Sequence, residues 1–365
     1  MTLLSRPEAT IPSDWYYDEA HYRRELETIW YQDWVCVGRE ESLPESGDFF
    51  TTEIGDQSII VARSETGLRA WLNTCRHRGS RLCESKSGRF RNGRIICPYH
   101  TWTYGLDGTL VATPNRLDTG SFDHSRFSLY DVHVATWRGF VFICLADEPS
   151  TSLVDQLGDE ADQIANWPME DMRAVHRVVK TIESNWKIYW ENYCECYHCP
   201  RIHPSLCKIM PLYAKATVDE DDIDGWTDED NGETETWSPD GKSTLPLIDG
   251  LGDKELGTTV TFASFNASMY IVAHRDYMRS VLLVPRGPEK VDLIIDWYLP
   301  SSHADTPLEE LQPMIDFPLQ VIDEDGSMCE LNQKGIRGRR HKHGYLVEQE
   351  QDIWDFHEWL RQRLG

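Results

Sequence analysis

The chain has 365 residues, with 61 Asp and Glu against 36 Lys and Arg, giving a formal net charge of -25. That length admits two domains and a sizeable core. The charge argues against nucleic acid or an anionic membrane as partner, and no apolar run is long enough to span a bilayer.

The first residues, Met1 to Pro7, do not read as a secretory signal. Ten cysteines are present, several at metal-like spacings, so reduced thiols and a cytoplasmic location are expected. Asp18 to Trp34 reads as a helix with an apolar face at Tyr22, Leu26, Ile29 and Trp30. From Asp48 to Leu145 short strand patterns follow one another, among them Ser58 to Val61, Leu68 to Leu72 and Gly139 to Ile143, as in a small all-β domain.

Inside that domain lie Cys75-Arg76-His77 and Cys97-Pro98-Tyr99-His100. Each sets a thiolate beside an imidazole. This split suits a [2Fe–2S] cluster with one iron on two cysteines and the other on two histidines. Zinc is the competitor, since it accepts the same four ligands. Zinc fingers group the cysteines first, however, whereas here each loop offers one ligand of each kind. Gly79, Gly88, Gly93, Gly105 and Gly108 supply the turns that such loops need. The basic residues Arg76, Arg78, Arg81, Lys86, Arg89, Arg91 and Arg94 either offset cluster charge or dock an acidic electron donor. Cys83 reads as a free buried thiol.

Cys-x-His followed by Cys-Pro-Tyr-His-x-Trp resembles the Rieske iron–sulfur domain, from about Gly47 to Leu145. The resemblance implies that Cys75 and Cys97 bind one iron, and His77 and His100 the other. Respiratory Rieske proteins carry a further cysteine in each loop. Ser80 and Tyr99 stand at those places here, so the oxygenase branch is implied. A bare cluster domain needs only about a third of this chain, which leaves the remainder with its own task.

Glu148 to Thr151 is a plausible boundary. The expected division is 1–46 as an N-terminal helical segment, 47–148 as the cluster domain and 149–365 as a catalytic domain. In the last part Ser152 to Trp167 and Trp186 to Cys199 read as helices, as do Thr306 to Gly335 and Glu350 to Leu364. Val175 to Ile182, Thr258 to Ala263, Ser280 to Val284 and Leu293 to Leu299 read as strands of an antiparallel sheet. The fold class is therefore α+β. Asp219 to Glu235 is dense in acid and reads as a solvated loop, with a lid as an alternative. No internal repeat is visible.

A second metal motif follows. Glu195 and His198 are three apart and would share a helix face. Pro200 cannot continue that helix, so the chain turns and His203 can swing back towards His198. An iron that activates O₂ needs open positions, which two histidines and one carboxylate leave. Ile322, Asp325, Met328 and Cys329 fall on one helix face, with Asp323 and Glu324 pointing away. Asp325 is therefore the expected ligand and Asp323 the fallback, a helix-capping acid near Gly326 being the plain alternative. Cys194, Cys196, Cys199 and Cys207 could form a third metal site, but packing thiols are the commoner use.

Asn185-Trp186-Lys187, Glu195-x-x-His198-x-x-x-x-His203 and Cys329-Glu330-x-x-Gln333-x-Gly335 together resemble the catalytic α subunit of Rieske non-heme iron oxygenases over nearly the whole length. The resemblance implies mononuclear Fe(II) on His198, His203 and Asp325. It implies that Glu195 links His100 of a neighbouring copy to His198, in a homotrimer. Most of the family has Asp at that bridging position. No Gly-x-Gly-x-x-Gly fingerprint is present, so a separate NAD(P)H-dependent reductase, with flavin, ferredoxin or both, is implied. Glu195 within Glu-Cys-Tyr-His-Cys-Pro resembles the branch acting on quaternary ammonium compounds, by N-demethylation or C–N cleavage of a betaine-like substrate. Trp226, Trp237, Phe262, Phe265, Tyr270, Trp297 and Tyr298 could hold such a cation, though each is more often core. The alternatives are an aromatic-ring dioxygenase and, from another class, an electron-transfer protein without oxygenase chemistry.

Overall fold

The computed structural model describes residues 3–117, 120–218, 223, 232–265 and 268–365. Most of the acidic 219–235 segment, including Trp226, lies outside the described residues. The chain forms two compact units, one of Ile29–Gln156 and the other of Met1–Thr28 with Leu157–Gly365.

The first unit is β-rich. Seven strands run, in spatial order, Val35–Arg39, Phe140–Cys144, Asp131–Trp137, Gly67–Leu72, Gln57–Ser64, Asp48–Ile54 and Ser87–Arg89, every neighbouring pair antiparallel. Val35–Arg39 lies in the segment expected to be helical and is a strand because it pairs with Phe140–Cys144. A second, three-stranded sheet joins Arg94–Ile96, Thr103–Gly105 and Leu110–Ala112. Phe49, Ile60, Trp71, Ile95, Trp102 and Tyr104 make one apolar core, and Cys75 and Cys97 belong to it.

The second unit is built on a five-stranded antiparallel sheet, in the order Met172–Ile182, Lys290–Pro300, Met278–Gly287, Met269–Ala273, Thr261–Phe265. The long helix Leu308–Ile336 is tied to it, since Trp297 Nε1 donates to Met314 O at 2.9 Å. Gly326 allows close approach: a Cβ there would sit 2.6 Å from Ile182 Cδ1. The α+β class read from the sequence holds.

Three helices are shorter than their periodicity suggested, the stretch Ser152 to Trp167 forming only Leu153–Leu157 and Glu160–Gln163. The first in the chain is α-helical over Glu19–Glu25, capped by the Asp18 side chain on His21 N at 2.8 Å, and relaxes into a π turn at Leu26–Trp30. The helix expected to reach Cys199 ends at Tyr193. Its start is fixed by Asn185, whose Oδ1 caps Lys187 N at 2.9 Å while its Nδ2 donates to Pro288 O at 2.7 Å. Gln333 Oε1 accepts from Asn185 N at 2.8 Å. Lys187 is fully buried and pairs with the equally buried Glu25, which also accepts from Trp186 Nε1 at 2.8 Å. Asn185, Trp186, Lys187 and Gln333 thus lock this helix to its neighbours, a structural role for residues that carried the family resemblance.

Candidate active site and metal centres

The two cysteine-histidine loops share one backbone design. Cys75 N donates to Ser80 O at 2.8 Å and Gly79 N to Cys75 O at 3.0 Å. In the other loop Cys97 N donates to Trp102 O at 2.8 Å and Thr101 N to Cys97 O at 3.0 Å. The residue four after each cysteine is left-handed, Gly79 at φ 76° and Thr101 at φ 58°. Glycine adopts this freely, whereas a β-branched residue stores strain there, and such strain gathers at functional sites.

These loops bury the sulfurs and leave His77 exposed and His100 half-buried. Cys75 and Cys97 are 2% and 1% exposed. The His77 and His100 rings lie 4.6 Å apart at 74°, and Trp102 stacks on His77 at 4.8 Å. Tyr104 OH accepts from Arg76 N at 3.1 Å and lies 3.3 Å from Cys75 Sγ, to which it would donate once that sulfur is a thiolate. Burial pushes the Cys75 thiol up, and neighbouring Cys97 pushes it further against the opposing Tyr104 hydroxyl. Burial also pushes the His77 imidazole down, helped by His100 and Arg78. Two soft donors inside and two imidazoles outside fit a mixed-ligand two-iron centre. Cys83 is free but only half-buried.

In the second unit Glu195 and His198 are in contact, though not on a helix. After Tyr193 the chain bends, and Cys199–Ile202 begins a new short helix with Pro200 in its first turn, where proline is tolerated. A Cys196–Cys199 disulfide closes that bend. The expectation of reduced thiols throughout is corrected here, and the disulfide removes two of the four sulfurs considered for a third metal. Cys199 Sγ lies 4.0 Å from His198 Nε2 but is committed to that bond.

His198 Nε2 and His203 Nε2 lie 3.1 Å apart, and Asp325 Oδ1 is 3.2 Å from the first and 2.8 Å from the second. The far nitrogen of each ring meets a carboxylate: His198 Nδ1 donates to Glu195 Oε1 at 2.5 Å and His203 Nδ1 to Glu324 Oε2 at 2.7 Å. A carboxylate only accepts, so each Nδ1 carries a proton, and on metal binding it is the Nε2 protons that would leave and the two Nε2 lone pairs that would face one point. The donor set therefore fits a mononuclear iron with open positions. Burial lowers His198, but Asp325 and Glu195 outweigh it and carry the metal-free imidazole up to about 9. Burial raises Asp325, and the two histidines bring it below the usual range.

The helix-face argument placed Asp325 inward and Asp323 outward, where Asp323 pairs with Lys180 at 2.7 Å. Glu324 was expected to point away and does not. An imidazole has nitrogens on two sides, and His203 sits against the helix so that consecutive residues reach both. Asp323, the fallback ligand, is not part of the group.

These residues open onto a cavity of about 1180 Å³, above the usual range of roughly 300–1,000 Å³, so wall chemistry rather than size must select the ligand. Of the aromatic residues proposed from the sequence, Trp237, Phe262 and Tyr270 line it. Phe265, Trp297 and Tyr298 are buried elsewhere. Tyr193, stacked on Tyr270 at 4.0 Å, and Tyr213 also line it and were missed. Tyr193 was hidden in a helical run and Tyr213 in an unremarkable turn.

Residues 169–365 match the model of the ring hydroxylating alpha subunit (catalytic domain), and residues 33–123 match the Rieske [2Fe-2S] domain.

The chain belongs to the Rieske ring-hydroxylating oxygenase α-subunit family.

This Rieske oxygenase is 30% identical to choline monooxygenase of Atriplex hortensis over 97% of its own length and 78% of that protein. It is 25% identical to the glycine betaine monooxygenase oxygenase subunit of Pseudomonas aeruginosa, over 97% and 89%. A solved quaternary ammonium Rieske monooxygenase, CntA, described in terms of carnitine oxidation and inter-subunit electron transfer, shares the fold with a TM-score of 0.77 at 23% identity, over 98% and 96%. The protein is thus an oxygenase, an oxidoreductase that incorporates O₂, with a Rieske [2Fe–2S] cluster and a mononuclear iron as cofactors. Among the described residues no helix is long and apolar enough to cross a membrane.

Proposed function

We propose that this Rieske oxygenase oxygenates a quaternary ammonium compound, removing an N-methyl group or cleaving a C–N bond. Demethylation balances as one methylammonium, O₂, two electrons and two protons giving the demethylated amine, a released proton, formaldehyde and water. The electrons come from a separate NAD(P)H-dependent reductase carrying flavin, ferredoxin or both, which suits the cytoplasm or another compartment supplied with nicotinamide.

Cys75, Cys97, His77 and His100 would hold the cluster, and His198, His203 and Asp325 the iron. When bound, the cluster supplies single electrons and the iron supplies O₂ activation. Glu195 holds the His198 ring by Nδ1 and fixes its tautomer. Its remaining lone pairs are the natural acceptor for His100 of another copy, which makes a homotrimer with relay between subunits the assembly we infer. The description of CntA in terms of inter-subunit electron transfer supports that reading.

The observation that carries the substrate class is the wall of the cavity beside the two histidines. Tyr193, Tyr213, Trp237, Phe262 and Tyr270 supply aromatic rings, and Glu160, Asp352 and Asp355 add negative charge. Methylammonium groups are held by the faces of such rings. The names of the choline and glycine betaine relatives point the same way.

The test is turnover of purified enzyme with a reductase and NAD(P)H on a panel of methylated ammonium compounds and aromatic acids. Formaldehyde, or C–N cleavage products, from the ammonium compounds is the expected result. No product from any of them, with a diol from an aromatic, would replace this reading with ring dioxygenation.

A further inference from the structure

Arg279 is the one Lys or Arg among the described residues that line the cavity. It stands on Met278–Gly287, opposite Val272 on one neighbouring strand and Trp297 on the other. Phe262 is also opposite Val272, so Arg279 and Phe262 share a face of the sheet. Arg279 is 3% exposed, and its Nε has no hydrogen-bond partner among the described residues. Its guanidinium carbon lies 5.8 Å from the Trp237 ring centre.

A buried charge without a counter-ion is costly. Elsewhere in this unit that cost is met inside the protein: buried Lys187 has Glu25, and buried Asp296 has Arg177 at 2.6 Å. Arg279 has no carboxylate within ion-pair reach among the described residues, and the space before it is the cavity. A guanidinium is a planar fork matched to a carboxylate. The rest of the described wall is aromatic, aliphatic, uncharged polar, histidine or acidic, the acids being Glu195 and Asp325 beside the histidines and Glu160, Asp352 and Asp355. Burial pushes the Tyr270 hydroxyl up to about 12, with Arg279 opposing and Asp325 adding, so this ring feels both ends of the site.

We propose that Arg279 binds a carboxylate of the substrate, so that the natural ligand is an N-methylated zwitterion bearing a carboxylate and not an amino alcohol. This rests on the quaternary-ammonium reading and narrows it. The methylated ammonium then packs on the tyrosine side of the cavity while the carboxylate spans to Arg279.

The experiment is anaerobic calorimetric titration of the metal-loaded enzyme with glycine betaine, its methyl ester, which keeps the ammonium but lacks the carboxylate charge, and choline. Glycine betaine should bind at least about tenfold tighter than either comparator, the scale of one charge-assisted pair. In Arg279→Met that advantage should vanish, with choline affinity changed less than about threefold. Arg279→Lys should retain part of it. The ester comparison on unmodified enzyme decides the matter even where a variant fails to fold. Equal binding of choline and glycine betaine overturns the carboxylate anchor and leaves the quaternary-ammonium reading standing. Binding of benzoate in an Arg279-dependent way, with no ammonium ligand bound, does the reverse.

Discussion

Glu324 Oε2 lies 2.7 Å from His203 Nδ1. The neighbouring helix residue, Asp325, approaches the same ring at Nε2. Two consecutive acids thus grip one imidazole, one as the proposed ligand and one as the group that orients it. Outer carboxylates of this kind commonly contribute about 10–100-fold to metal affinity. Glu324→Ala should therefore lower iron affinity by about that factor while the visible spectrum of the cluster stays unchanged. Iron retained after dialysis against a graded chelator checks this. Retention equal to wild type would show that the contact does not support the metal.

The Tyr104 hydroxyl lies 3.3 Å from Cys75 Sγ, and a cluster-bound thiolate there could only accept from it. A hydrogen bond to a cluster sulfur stabilises the reduced, more negative state and so raises the potential. Tyr104→Phe should shift the midpoint potential downward with the cluster still assembled, as read by voltammetry. An unchanged potential would contradict the assigned direction of that bond.

The buried Lys187–Glu25 pair makes a stability prediction. Burial drives the Glu25 carboxyl up, but Lys187 and the His21 and Trp186 contacts leave it below its usual range. Removing one partner of such a pair costs about 3–5 kcal/mol, because the other charge stays buried. Lys187→Met should show that loss in denaturant unfolding, and Lys187→Met with Glu25→Gln should recover part of it. A double variant no better than the single would mean that packing, not charge, dominates.

His274 gives a pH prediction. It is fully buried, its Nδ1 donates to Thr259 O at 2.9 Å, and burial brings its imidazole down to about 3. The unfolded chain binds this proton near pH 6.5. Between those values the unfolded state holds more protons, so stability falls as pH drops below about 6.5 and stops falling from this source near 3. At pH 5.5 the loss is about 1.4 kcal/mol relative to pH 8. His274→Asn keeps a donor for Thr259 and cannot titrate, so its unfolding free energy should fall less over the same interval. Identical pH slopes would refute the assignment.

Much of the chemistry was readable because it is local. Cys75, His77, Cys97 and His100 declare themselves by spacing, and His198 and His203 lie five residues apart. Helix phase put Asp325 on the inward face of the Leu308–Ile336 helix, and there it lies beside both histidines. The same phase misjudged Glu324, because a side chain at a helix flank can still reach a ring pressed against that helix. The helix through Glu195 was overextended since its apolar pattern continues past Tyr193, while Pro200 and the Cys196–Cys199 bond impose a bend. Arg279 was invisible: it lies 76 residues beyond His203 in the numbering, on a strand where it resembles any other polar position. Only the sheet pairing brings it to the cavity.

The account rests on two separate iron centres in one chain, with His203 serving only the second. Iron and acid-labile sulfide should be counted in purified wild type and in His203→Ala. Wild type should hold about three irons and about two sulfides per chain, one [2Fe–2S] cluster and one lone iron. The variant should lose about one iron, keep its sulfide and cluster spectrum, and turn nothing over. Zinc without sulfide in the wild type, or an unchanged iron count with full turnover in the variant, would contradict it.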